Sequence, residues 1–204
     1  MLESDYKGLI LASQSPRRRE LLTMAGIPFR TANSDCDEDG LMDKIRQAQP
    51  SLAENDLVEK LAAAKARAVL ARFPQALILA ADTLGSLEWV IFGKPADKAQ
   101  ARLMLRQLAG RTHLVDTGVA LLSREGEEVF SSRSKVSFRP LTQSLEALID
   151  SYVETGLPLD KAGAYGIQEL GGLLIQSIEG DFFSVMGLPV AEVYERLQAY
   201  DIQA

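Results

Sequence analysis

The chain has 204 residues, 47% of them hydrophobic and 25% charged, with a formal net charge of −6. This composition excludes disordered, collagen-like and coiled-coil chains, and the acidic balance argues against a nucleic acid polymer as partner. Short apolar runs, an N-terminus unlike a signal peptide and a single cysteine favour a cytoplasmic protein with neither membrane partner nor intrachain disulfide. We expect a single domain over residues 1–204, and local positive charge would still permit a small phosphorylated ligand.

The N-terminal pattern predicts a strand followed by a helix. Residues 8–13 read as a short buried strand, and Ser15 and Pro16 are typical of the N-cap and first position of a helix. Gly26 is expected to end that helix, and residues 28–33 are predicted to be extended.

The next stretch predicts a loop, a long helix and a second strand. Residues 35–43 are rich in acidic side chains and are interpreted as a loop. Ser51 and Glu54 have capping-box spacing, which predicts that a long helix opens there. Residues 76–81 form an apolar strand that is expected to end on Asp82 and Thr83.

The second half mixes hairpins with helices. In chain order we predict a hairpin over 84–92, a helix capped by Asp97 and stopped at Gly110, and an antiparallel pair of strands over 112–122 and 129–139. A helix from Thr142 to Gly156 and a loop over 160–168 are expected to follow. The last predicted elements are a strand over 172–178 and a helix after Gly187-Leu188-Pro189. Because helices alternate with strands while hairpins also occur, the fold is predicted to be α/β with a mixed sheet. Ligands of such sheets bind at strand-to-helix junctions.

The first junction carries cations where a helix begins. The N-terminus of a helix offers free N–H groups to an anion, while its dipole disfavours arginine in the first turn. Ser13, Arg17 and Arg18 lie here, and a bound anion would explain the two arginines. Arg19 is interpreted as a solvated residue.

The second junction carries a carboxylate. Asp82 follows an apolar strand, where burial is costly unless a cation such as magnesium or a lysine lies opposite. A structural N-cap or turn is the equally weighted alternative. Lys94, in a stiff Gly-Lys-Pro turn, is the more suggestive of two candidate lysines, because a helical lysine such as Lys65 is usually solvated.

Other polar groups indicate less. The glycine-rich run 154–168 suits either a ligand loop or a plain connection, and the acidic run 35–43 could bind a hard cation but is more typical of a solvated loop. His113, the one histidine, is interpreted as structural. The residues alone therefore predict an anion pocket of arginine and lysine, with carboxylates suited to a divalent metal.

Together these segments resemble the Maf family of nucleoside triphosphate pyrophosphatases. The order and spacing of the motifs carry the resemblance, which runs from Leu9 to the last helix. The motifs are Leu11-Ala-Ser-Gln-Ser-Pro-Arg-Arg18, Ala80-Ala-Asp-Thr83, Gly93-Lys-Pro95, Gly110-Arg-Thr-His113, Asp160-Lys-Ala-Gly-Ala-Tyr-Gly-Ile-Gln168 and Gly187-Leu-Pro189.

The resemblance implies a fold and a reaction. The implied fold is inosine triphosphatase-like, with a mixed sheet in two lobes around a deep cleft, and homodimers are often formed. The implied enzyme is a cytoplasmic hydrolase that needs Mg²⁺ or Mn²⁺ and splits a nucleoside triphosphate into monophosphate and pyrophosphate.

The resemblance also implies roles for individual residues. Asp82 matches the catalytic carboxylate and a metal ligand, and Glu38 matches a second metal ligand. The substrate-binding positions that it implies are Ser13, Arg17, Arg18, Lys65, Thr83, Lys94 and Gln168. The form of the Asp160–Gln168 motif resembles the subgroup acting on dTTP and UTP, in which the positions of Arg17, Thr83 and Gln168 are associated with base choice.

Two alternatives stay open at this point. A nucleotidyltransferase would use the Ser-Pro-Arg-Arg loop for a triphosphate but would need an acceptor substrate. A non-catalytic regulator of cell division would bind nucleotide without releasing pyrophosphate.

Overall fold

The computed structural model describes residues 6–88 and 90–200, and the chain divides into two compact units. The first unit comprises Met1–Thr83, Thr117–Ser132 and Gly187–Ala204. The second comprises Leu84–Asp116 and Arg133–Met186.

Strands and helices alternate along the described ranges. The strands there are β1 (Leu9–Leu11), β2 (Arg30–Thr31), β3 (Leu77–Leu87), β4 (Val90–Phe92), β5 (Thr112–Leu122), β6 (Glu127–Phe138) and β7 (Ile175–Glu179). The α-helices are α1 (Pro16–Met24), α2 (Glu38–Ala48), α3 (Glu54–Leu70), α4 (Lys98–Leu108), α5 (Gln143–Glu154), α6 (Phe182–Met186) and α7 (Val190–Leu197). Across residues 6–88 and 90–200, no helix is both long and apolar enough to cross a membrane.

The strands form a mixed sheet in the order β2-β1-β3-β5-β6-β7, with β4 paired to β3. β1 pairs in parallel with β2 and β3, whereas β3–β4 and β6–β7 are antiparallel. The predicted mixed α/β class is therefore confirmed.

The core of the first unit is built from small side chains. Alanines of α3 pack with residues of β1, β3 and β5 in a cluster that includes Ala62, Ala66, Ile10, Ile78 and Ala120. The backbones of β5 and α3 approach each other closely at Gly118, since a Cβ there would lie 2.3 Å from the backbone carbon of Val58. Only glycine at this position lets α3 lie directly on the sheet.

The core of the second unit contains an aromatic cluster. His113, Phe138 and Tyr165 have ring centroids 5.0–5.5 Å apart, and His113 Nε2 shares a hydrogen bond of 3.0 Å with the Tyr165 hydroxyl. Burial lowers the pKa of His113 to about 4, so the ring is neutral at pH 7. His113 lies in β5, as predicted, and its burial at 2% exposure agrees with its interpretation as a structural residue.

Three predicted helix starts are confirmed by their caps. The side chains of Ser15, Asp97 and Thr142 accept hydrogen bonds from the first turns of α1, α4 and α5 respectively. Gly26 follows α1 with a φ of +67°, as expected for a residue that ends a helix.

Two predictions between residues 35 and 54 are wrong. The expected acidic loop becomes α2 after Asp37, whose side chain caps the helix by accepting from the Gly40 N–H. Acidic residues near a helix start favour the helix through its dipole, which the loop interpretation neglected. Ser51 does not cap α3, because it lies in a turn closed by Leu52 N–H to Gln49 O, and the cap residue is Ala53.

Two predicted strand boundaries are also wrong. The strand at 76–81 does not end at Asp82 but continues as β3 to Leu87, where β4 pairs with it over Gly85–Leu87. The strand expected at 172–178 begins only at Ile175, after a 3-10 turn over Leu170–Leu174. Gly172 accounts for that turn, since its Cα lies so close to the Ile167 carbonyl that a Cβ would be 2.4 Å from the oxygen.

Candidate active site

The guanidinium of Arg18 is held at the start of α1 by three neutral acceptors. Its Nη1 donates to Ser13 Oγ at 3.2 Å, its Nη2 to Thr83 Oγ1 at 3.1 Å and its Nε to the Gly187 carbonyl at 2.7 Å. Arginine can meet three acceptors at once because its donors lie in a fixed planar fork. One nearby residue, Ser13, and two residues from distant segments of the chain, Thr83 and Gly187, therefore fix the direction of this cation.

The carboxylate of Asp82 lies inside the first unit against a buried lysine. Asp82 is 7% exposed and Lys65 3% exposed, and Lys65 Nζ donates to Asp82 Oδ1. The same Nζ lies 2.8 Å from Glu38 Oε1, whose side chain is largely exposed. One ammonium group therefore holds two carboxylates together, and the interpretation of Lys65 as a solvated helix residue is wrong.

The surroundings of Arg18 shift its pKa in opposite directions. Removal from solvent lowers the pKa of Arg18, while the carboxylates of Asp82 and Glu38 act to raise it. The neighbouring Arg17 cation lowers it further. Because Arg17, Asp82 and Glu38 all act electrostatically on Arg18, the first unit brings these two cations and two carboxylates into one site.

The structure divides the predicted site residues between the two units. Those of the first unit are Ser13, Arg17, Arg18, Glu38, Lys65, Asp82 and Thr83. Lys94 and Gln168 belong to the second unit, where Lys94 is exposed between β4 and α4. Arg19 is exposed, as predicted.

Gln168 has an unusual environment in the second unit. Its Oε1 atom is buried and has no hydrogen-bond partner among the described residues. A buried acceptor left without a donor costs about 1–3 kcal/mol, which a ligand N–H could recover. Gln168 is thus suited to accept a hydrogen bond from a ligand.

Two residues of the site received no role from the sequence. Thr117 is fully buried, and its hydroxyl shares a hydrogen bond of 2.8 Å with Thr83 Oγ1, which orients the acceptor of Arg18. The Gly187 carbonyl accepts a hydrogen bond from Arg18, and Gly187 has a φ of +121°, a backbone conformation that residues with a Cβ rarely adopt. For Gly187, the Gly187-Leu-Pro189 motif was the sequence signal that could have indicated a role.

Glu38 and Asp82 are the residues suited to bind a divalent metal. Their oxygens are hard ligands, and both approach one point at the Lys65 ammonium. Among the described residues there is no group of three or more His, Cys, Asp and Glu side chains that could hold an ion. The pair fits Mg²⁺, which usually takes one or two carboxylates and completes its shell with water and substrate phosphate.

Comparisons with known proteins agree on one family. The family model described as "Maf-like protein" matches residues 8–200. Among curated proteins, a dTTP/UTP pyrophosphatase of Moorella thermoacetica is 49% identical over 95% of both chains. Proteins of the same name from Symbiobacterium thermophilum and Bacillus velezensis are 46% and 44% identical, covering 94% and 97% of this chain and 93% and 99% of their own.

Proposed function

Because the chain belongs to the Maf-like family, we propose that it hydrolyses dTTP and UTP to the nucleoside monophosphate and pyrophosphate. The observation that carries the proposal is the buried Asp82 carboxylate, held by Lys65 in the same site as Arg17 and Arg18. A general base next to cations is what hydrolysis of a triphosphate requires.

In the proposed mechanism Asp82 orients a water molecule and accepts its proton. The water oxygen bonds to the α-phosphorus, the bond from that phosphorus to the α,β-bridging oxygen breaks, and this oxygen leaves with pyrophosphate. Arg17 and Arg18 neutralise charge that develops on the phosphoryl oxygens. Ser13 and Thr83 keep the Arg18 guanidinium in place during the reaction.

Lys65 has a distinct part in this scheme. Its ammonium contacts the Asp82 carboxylate directly and holds that side chain in place, and a general base must be positioned before it can take a proton. By the resemblance, Lys65 also contacts the substrate, and Lys94 adds a further cation to the phosphates.

Nucleotide pyrophosphatases of this kind are generally metal-dependent, and we assign Glu38 and Asp82 as the residues that would hold Mg²⁺ or Mn²⁺. A bound divalent ion would supply charge stabilisation at the phosphate oxygens. The test is Glu38→Gln, which should raise the Mg²⁺ concentration for half-maximal activity, with Asp43→Asn on the same helix as a control. An equal Mg²⁺ requirement in both variants would contradict the assignment.

Gln168 is proposed to read the pyrimidine base. Uracil and thymine carry an N3–H donor beside carbonyl acceptors, and the Gln168 amide offers one acceptor and two donors. Cytosine has an acceptor at N3, so the buried Oε1 of Gln168 would meet a lone pair instead of a hydrogen. This difference favours dTTP and UTP over CTP.

The proposal is tested by pyrophosphate release from dTTP, UTP, CTP, GTP and 7-methylguanosine triphosphate with Mg²⁺. We expect the monophosphate and pyrophosphate as products, with dTTP and UTP turned over fastest. Asp82→Asn should lower kcat by about 10²–10⁴-fold while the protein stays folded. Asp43→Asn makes the same chemical change at an exposed residue of the first unit and should retain wild-type activity.

Three outcomes would contradict the proposal in different ways. Full turnover by Asp82→Asn would contradict the assignment of Asp82 as the general base. Turnover restricted to the methylated purine would contradict the preference for pyrimidines. Saturable binding without pyrophosphate release would contradict the assignment as an enzyme. The cytoplasmic location and the homodimer stay predictions from the family resemblance.

A further inference from the structure

The residues around Gln168 contain a second buried lysine with carboxylate partners. Lys161 is 4% exposed, and its Nζ donates to the Leu157 carbonyl at 2.6 Å and to Asp160 Oδ1 at 2.7 Å. The same Nζ lies 3.2 Å from Glu169 Oε2, with which it forms an ion pair but no hydrogen bond. Glu169 is the residue directly after Gln168, so the ion pair ties the neighbour of the proposed base reader to a buried anchor.

The backbone on both sides of Gln168 is fixed as well. Glu169 N–H donates to Gly166 O at 3.3 Å, and Gly172 N–H donates to Glu169 O at 2.9 Å. Gly166 N–H donates to the Tyr152 hydroxyl at 3.0 Å. Gln168 therefore sits in a turn whose two ends are hydrogen-bonded.

The ion pair crosses this turn at close range. A Cβ on Gly166 would lie 2.7 Å from Lys161 Cε and 3.1 Å from Glu169 Oε2. The side chains of Lys161 and Glu169 thus pack directly on the backbone two residues before Gln168, and their positions and that of the turn depend on one another.

We propose that Glu169 and Lys161 are positioning residues that set the direction of the Gln168 amide and thereby the preference for an N3–H pyrimidine. The inference rests on the proposed base reading by Gln168. A surface ion pair would have no such effect, but here the lysine is buried and the carboxylate belongs to the adjacent residue. Displacement of a substrate-positioning group by about 1 Å can cost up to 10²-fold, and at a base contact that cost is expected in KM, so a small movement of this turn would be measurable.

The test compares Glu169→Gln with a matched exposed pair. Glu169→Gln removes the charge while leaving Lys161 its contacts with Asp160 and the Leu157 carbonyl. Glu179→Gln is the control, since Glu179 pairs with Lys135 at 2.9 Å and both side chains are more than half exposed. Steady-state kcat and KM are measured for dTTP and CTP in each variant.

We expect Glu169→Gln to raise KM for dTTP by about tenfold and to leave kcat and the values for CTP unchanged, because a base contact far from the α-phosphorus contributes binding more than chemistry. Glu179→Gln should match wild type. In Gln168→Ala the preference for dTTP should already be lost, and adding Glu169→Gln should change it no further. If Glu169→Gln does not fold, Glu169→Asp, which shortens the side chain by one methylene, should shift the preference in the same direction.

The outcomes separate this inference from the proposed function. An unchanged dTTP preference in the Glu169 variants, or a further loss in the double variant, would overturn the inference alone. An unchanged preference in Gln168→Ala, with pyrophosphate still released, would overturn the base reading and the inference together. Absence of pyrophosphate release in the wild-type protein would overturn the proposed function itself.

Discussion

Replacing Gly118 by alanine should displace α3 from the sheet. The new Cβ would lie 2.3 Å from the Val58 carbon, 2.4 Å from its oxygen and 2.5 Å from Glu59 N. Since an ordinary contact begins near 3.4 Å, the helix backbone would have to retreat by roughly 1 Å. No side chain can rotate away to relieve this overlap, because all three atoms belong to the backbone of α3.

The expected cost follows from this geometry. Overpacking in a core typically costs 1–3 kcal/mol, and a backbone-on-backbone overlap belongs at the upper end, about 3 kcal/mol. For a chain of this size that corresponds to a melting temperature about 6–12 °C lower. Lys65 lies on α3, so the same displacement should move it relative to Asp82 and lower kcat as well.

The measurements are thermal unfolding and pyrophosphate release. Gly126→Ala is the matched control, because a Cβ at Gly126 would meet nothing within 4 Å and Gly126 lies in the same unit. It should change the free energy of unfolding by less than about 0.5 kcal/mol and leave kcat unchanged. Equal melting temperatures for the two variants would refute the close approach of α3 to β5.

Two further predictions follow from the buried groups. His113 has a folded pKa of about 4, below its unfolded value, so the unfolded chain binds the extra proton and stability should fall by about 2 kcal/mol between pH 7.5 and pH 5. Because it is the chain's one histidine, His113→Gln should remove that slope between pH 5 and 7, and a slope that persists would contradict the assignment. Arg18→Lys keeps the charge but lacks the planar fork that meets Ser13, Thr83 and the Gly187 carbonyl together, so kcat/KM for dTTP should fall by at least about tenfold. The exposed control Arg19→Lys should show no change. Wild-type kcat/KM in Arg18→Lys would show that charge alone suffices.

Local signals allowed much of the fold and one part of the site to be predicted from the sequence. The start of α1 depends on Ser15 and Pro16, which act on the turn that immediately follows them. The same locality made Arg18 a candidate, because a cation in the first turn of a helix is unfavourable without a nearby anion. Such features need no knowledge of distant residues.

The role of Lys65 could not be predicted in that way. Its burial depends on Asp82, 17 residues later, and on Glu38, which lies on a different helix. A lysine among alanines is usually solvated, and the partners that reverse this expectation are brought together by tertiary packing. The acidic run 35–43 was predicted to be a loop because of its charges. It instead contains the start of α2, which Asp37 caps.

Lys65 and Arg18 have different partners within the protein, and this difference bears on which of the two cations binds the substrate phosphate more strongly. Lys65 already faces two carboxylates, so its charge is compensated within the protein. Arg18 donates to three neutral oxygens, and no carboxylate among the described residues contacts it directly. Removal from solvent lowers its pKa. An arriving phosphate therefore gains more at Arg18 than at Lys65. We infer that Arg18 is the stronger anion-binding cation of the two, while the first task of Lys65 is to hold Asp82 in place beside the substrate.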